Sequence, residues 1–112
     1  MQVKILLLSL LFQVGIAFAE PVPEITKQWH KLIEQYKEHM VVGEWNGAIQ
    51  TAETLIKIDP ASSEAKFYLV YAVKQTGAKY PAWVGKPSTW AYGSINDRYY
   101  VELAKQIIKN GS

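Results

Sequence analysis

The sequence predicts an all-α fold of about four helices, paired as antiparallel hairpins and interrupted once by an irregular aromatic- and proline-rich connection over residues 79–94. Three observations carry this prediction. Gly43, Gly77 and Gly111 stand 34 residues apart, each behind a helix-like segment, where a chain leaving a helix favours a residue without a side chain. The segments between them repeat apolar side chains every three or four positions. The one strand-like run, Phe67 to Val73, has no comparable run elsewhere to pair with.

Residues 1–19 read as an address. Lys4, the leucine-like stretch from Ile5 to Phe12 and the small-x-small ending Ala17-Phe18-Ala19 form the pattern that a signal peptidase recognises. The stretch is shorter than the roughly 20 residues a bilayer-spanning helix needs, so cleavage is expected and no stable membrane span remains afterwards. The mature chain is then expected to begin at Glu20 and to form a single domain over residues 20–112.

The first helix is expected from Glu24 to Val42, with Ile25, Trp29, Leu32, Ile33, Tyr36 and Met40 on one face and Pro23 fitting its first turn. After Gly43, a second helix places Trp45, Ala48, Ile49, Ala52, Leu55 and Ile56 on one side and Asn46, Gln50, Glu53 and Lys57 on the other. Asp59-Pro60 ends it, because the residue before a proline is pushed out of helical geometry. A third helix, Glu64 to Thr76, can be capped by Ser62 or Ser63. Being apolar on most sides, it belongs in the middle of a stack. The last starts after Ser94, with Asp97 three residues on, and repeats Ile95, Tyr99, Leu103 and Ile107 at spacing four.

With 49% apolar residues in 112, the chain is neither a disordered tail nor a two-domain enzyme. The absence of cysteine excludes a disulfide framework, a zinc–thiolate site, covalent haem, a cysteine nucleophile and a lipoprotein anchor. A formal net charge of +2 gives no footprint for nucleic acid. His30 and His39, nine residues apart on one helix, point to opposite faces and cannot share a metal. Glu34 and Glu38 share a face with Lys31 and Lys37 nearby, the composition of a solvated surface. No nucleophile–base pattern or phosphate-cradling loop occurs, so neither catalysis nor a cofactor is expected.

The stretch Gly43-Glu44-Trp45-Asn46-Gly47-Ala48-Ile49, continuing through Ala52 to Ile58-Asp59-Pro60, resembles the second helix of a tetratricopeptide repeat and its terminal proline. Leu69, Ala72 and Gly77 resemble a following first helix, and Leu103, Ala104, Ile107 and Gly111 another. The second repeat has no second helix, since Pro81, Gly85 and Pro87 cannot all lie inside one. The resemblance implies a docking groove on the inner faces of the first helices. It would be lined by Ile33, Lys37 and Met40, by Phe67, Tyr71 and Lys74, and by Val101, Lys105 and Ile108.

Segment 80–92 holds Tyr80, Trp83, Trp90 and Tyr92. Two readings compete: the rings fold back to replace the missing helix, or Trp83 and Trp90 anchor a partner. The expected function is an exported protein–protein interaction module, an adaptor or small subunit of a larger envelope assembly, periplasmic or secreted. The alternative is a small carbohydrate- or cell-wall-binding domain that uses residues 80–92.

Overall fold

A computed structural model of the chain describes residues 22–111. The expected signal peptide and the start at Glu20 lie outside the described residues. Four α-helices run in order: α1 (Glu24–Val41), α2 (Trp45–Ile58), α3 (Ser63–Gln75) and α4 (Ile95–Gly111). Two short 3-10 turns, Ala82–Val84 and Pro87–Thr89, lie in the connection between α3 and α4. Among the described residues there is no strand, and no helix is long and apolar enough to cross a membrane.

The helix ends follow from local chemistry. The backbone N–H groups of Thr26 and Lys27 donate to the Pro23 carbonyl, so the residue that cannot donate sits outside α1. At the far end Gly43 takes φ +77°, and the Glu44 N–H folds back onto the His39 carbonyl at 2.8 Å. Asp59 closes α2, and its Oδ1 accepts from the Ala61 N–H at 3.2 Å across the turn. Ser62 caps α3, its Oγ accepting from the Ala65 N–H, and Gly77 ends that helix at φ +81°. Ser94 Oγ accepts from the Asp97 N–H and starts α4. Gly111 differs from the expectation: it is the last helical residue of α4 rather than the residue beyond it.

Each helix packs on the next, and α4 also rests on the second 3-10 turn. Five alanines, Ala48, Ala52, Ala65, Ala72 and Ala104, are fully buried, which lets the backbones approach closely, and Leu55, Leu69 and Val101 fill the space between them. As its composition predicts, α3 is the central helix. Trp90 is only 5% exposed and buries itself with Val84 and Pro87, so the connection supplies core where a helix is missing. Its indole Nε1–H donates to the carbonyls of Val84 at 2.9 Å and Gly85 at 3.2 Å, fastening the connection to itself. Ser63, fully buried, donates through Oγ to the Ala91 carbonyl at 2.6 Å and ties the connection to the start of α3. Among the described residues no buried side-chain polar atom lacks a hydrogen-bond partner.

Gly47 marks a close approach inside the first hairpin. A Cβ there would lie 2.6 Å from Cε1 and Nδ1 of His39, whose Nδ1 is hydrogen-bonded to Glu44 Oε1 at 2.9 Å. Glycine to alanine within a helix normally gains about 1 kcal/mol. Here Gly47→Ala must displace the imidazole, and no gain is expected in the parent chain. In a His39→Ala background the same change should stabilise by about 0.5–1 kcal/mol. Urea unfolding of the four proteins checks this, and equal effects in both backgrounds would refute the steric coupling.

Candidate functional site

The site is built on the face that α1, α3 and α4 turn away from α2. These three helices run parallel. Asn96 Nδ2 donates to Glu64 Oε1 at 3.1 Å, and the hydroxyls of Tyr68 and Tyr100 meet at 3.3 Å, so α4 lies beside α3 with an offset of 32 residues at both contacts. The burial pattern has the same offset: Leu69 matches Val101, and Ala72 matches Ala104. On α1, the Tyr36 hydroxyl donates to the Tyr68 carbonyl at 2.8 Å, and the two rings stack at 4.6 Å.

Six aromatic rings form a continuous seam across this face. Phe67 and Tyr71 are stacked at 5.6 Å with their planes 10° apart. Phe67 meets Tyr100 at 5.4 Å, and Tyr100 takes the edge of Tyr99 at 5.1 Å. Tyr36 and Tyr68 are the buried foundation, Phe67 and Tyr100 are half-buried, and Tyr71 and Tyr99 reach solvent at 38% and 58% exposure. Aromatic pairs of this kind contribute about 0.5–1.5 kcal/mol each beyond area burial, so the seam is preformed rather than assembled by a ligand.

The hydroxyls beneath the seam are committed. Tyr68 Oη donates to Glu64 Oε2 at 2.6 Å, which leaves the Tyr100 hydroxyl to donate to Tyr68. Burial first, then the hydrogen bonds to Glu64 and Tyr100 and the charge of Glu64, hold the Tyr68 phenol far above its ordinary range. Burial, and secondarily the neighbouring Tyr71, push Tyr36 up as well. Both phenols are therefore fixed in the neutral form, and neither is poised as an acid or a base.

The anticipated groove residues fall into two groups. Ile33, Lys37 and Met40 lie along α1, half-buried, exposed and half-buried in turn. Lys37 makes a loose 3.9 Å pair with Glu34. Phe67, Tyr71 and Lys74 share one side of α3, with Phe67 and Lys74 half-buried. The expected third row is displaced. Val101 is core, and Lys105 lies on another flank of α4, 5.9 Å from the Tyr92 ring centre and 3.4 Å from Glu102. The cause is the 32-residue offset, two short of the glycine period, which the Tyr36–Tyr68 contact between α1 and α3 shares. Tyr99, Leu103 and Gln106 take the place expected for Val101, Lys105 and Ile108. The repeat of Tyr36, Tyr68 and Tyr100 at intervals of 32 is the sequence signal that could have revealed this.

The two tryptophans of the connection separate. Trp83 is 60% exposed, whereas Trp90 belongs to the core and is unable to present its ring to a ligand. Two shallow depressions lie near the α1–α2 turn. One, of about 260 Å3, is lined by Glu34, Lys37, Glu38, Val41 and Val42, and the other, of about 530 Å3, by Gly43, Glu44, Trp45, Asn46, Gly47 and Thr76. Neither gathers a nucleophile and a base. Among the described residues, no group of three or more metal-ligating side chains comes together. Compared with models of protein families, with curated proteins and with solved structures, the chain matches none.

Proposed function

We propose that this chain is an exported, tetratricopeptide-like interaction module, an adaptor or small subunit of an envelope assembly, that docks a partner segment on the face of α1, α3 and α4 without covalent chemistry. The observation that carries the reading is the preformed aromatic seam. A stacked Phe67–Tyr71 pair rests on Tyr68 and Tyr100 and reaches solvent through Tyr71, with Lys74 one turn further along α3 and Lys37 exposed on α1. Rigid aromatic side chains lose little conformational entropy on binding and are enriched among the residues that dominate interface energies. The two lysines favour a partner with carboxylates beside its apolar anchors.

Co-purification of the full chain from the envelope of cells that produce it tests the proposal. Tyr71→Ala combined with Lys37→Ala removes one stacked ring and one exposed lysine, and should cost about 1 kcal/mol while leaving the chain folded. The same pair should weaken partner retention at least tenfold, the effect of losing about 1.4 kcal/mol of interface energy. Retention unchanged by this pair would remove the groove from consideration. Retention on cell-wall polymer, abolished by Trp83→Ala, would favour the carbohydrate-binding alternative, for which Trp83 and Tyr92, but not Trp90, remain exposed.

A further inference from the structure

One flank of α4 stands apart from the aromatic seam. Ile95, Arg98, Glu102, Lys105 and Lys109 recur at alternating steps of three and four, so they form a single stripe along the helix. All five are exposed, Ile95 at 81%. Tyr92 lies on this stripe, its ring 5.9 Å from both Arg98 and Lys105, and its hydroxyl donates to Glu102 Oε2 at 3.2 Å. The equivalent positions of α3, 32 residues earlier, include Ser63, Val70 and Val73, all buried by neighbouring elements. On α4 no described element covers the stripe except Tyr92.

The charge of this flank says what can cover it. Arg98, Lys105 and Lys109 face one carboxylate, Glu102, which is already engaged by Tyr92 and Lys105. The nearby Asp97 is turned inward, its Oδ1 accepting from the Ser63 N–H at 3.4 Å. Residues 67–111 as a whole hold six Lys and Arg against two Asp and Glu, whereas residues 24–66 hold five against seven. A second copy stacked end to end would meet α1, where Lys27 and Lys31 accompany Glu34 and Glu38 and cancel their charge.

We infer that this flank of α4 is a second docking surface, distinct from the aromatic seam, and that its occupant is an acidic amphipathic helix of another protein. That helix would pack apolar side chains on Ile95 and Tyr92 and place carboxylates against Arg98, Lys105 and Lys109. It would pack on α4 in the way that α4 packs on α3.

The test uses the full chain and two labelled helix-forming peptides that share one leucine stripe, flanked by glutamates in the first and by lysines in the second. Fluorescence anisotropy at low salt should show binding of the acidic peptide alone, weakening as salt rises. Arg98→Glu with Lys109→Glu should reduce that affinity at least tenfold and create affinity for the lysine peptide. Tyr71→Ala should leave both unchanged, which separates this surface from the proposed groove. The inference is overturned if neither peptide binds, if both bind alike, or if Tyr71→Ala removes the binding. It is equally overturned if the flank proves to serve self-association in sedimentation, or binds vesicles of phosphatidylglycerol and phosphatidylcholine more tightly than the acidic peptide.

Discussion

Replacing Trp90 by alanine is expected to cost about 3–5 kcal/mol, as large-to-small changes of buried aromatic residues do. The indole is 5% exposed, and its loss also leaves the carbonyls of Val84 and Gly85 without their donor. Domains of this size are typically stable by about 5–15 kcal/mol, so the variant should sit near the edge of folding at ambient temperature. Far-ultraviolet circular dichroism during urea unfolding measures the loss. Trp83→Ala, seven residues earlier and 60% exposed, is the control and should remain within about 0.5 kcal/mol of the parent. A loss below about 1 kcal/mol for Trp90→Ala would mean that the connection is an appendage to the helices rather than part of their core.

A second large effect is alkaline unfolding. Tyr36 and Tyr68 have folded-state pKa values raised above the ordinary 10.0, so below that pH both are protonated whether the chain is folded or unfolded. Above it the unfolded chain loses protons that the folded chain retains, and stability falls as pH rises. Each tyrosine contributes a slope approaching about 1.4 kcal/mol per pH unit, so the pair removes roughly 3 kcal/mol over the first unit above its full onset. Urea midpoints measured in steps above pH 10 should show this fall. Tyrosinate absorbance should show two of the seven tyrosines holding their protons until the helices melt. Tyr36→Phe should lower stability near neutrality by about 1 kcal/mol through the lost hydrogen bond to the Tyr68 carbonyl, and make the alkaline slope shallower. A parent slope no steeper than that of the Tyr36→Phe, Tyr68→Phe double variant would show that these phenols are not specially held.

The helices were legible because their ends are written in local chemistry. Gly43 and Gly77 require a backbone conformation that side chains resist, Ser62 and Ser94 cap, and Asp59-Pro60 cannot continue a helix. The central position of α3 followed from its lack of a polar side. The candidate site was legible on α1 and α3, whose ends Gly43 and Gly77 mark. It was not legible on α4, because the register there depends on how Val84, Pro87 and Trp90 fold together, and no periodic rule describes a proline-rich segment that packs as core. Trp83 and Trp90 have the same side chain in similar surroundings of sequence. Only the three-dimensional path of the connection decides that one is covered and the other is not.

The common direction of α1, α3 and α4 has a consequence for anything lying across them. Peptide dipoles add along a helix, leaving about half a positive charge at its start and half a negative charge at its end. Three helices aligned and only α2 opposed leave two uncompensated, so one rim of the seam is electrically different from the other. A guest segment and its end-for-end reversal would not be equivalent, even with identical apolar anchors, and the module would read the polarity of what it holds as well as its shape.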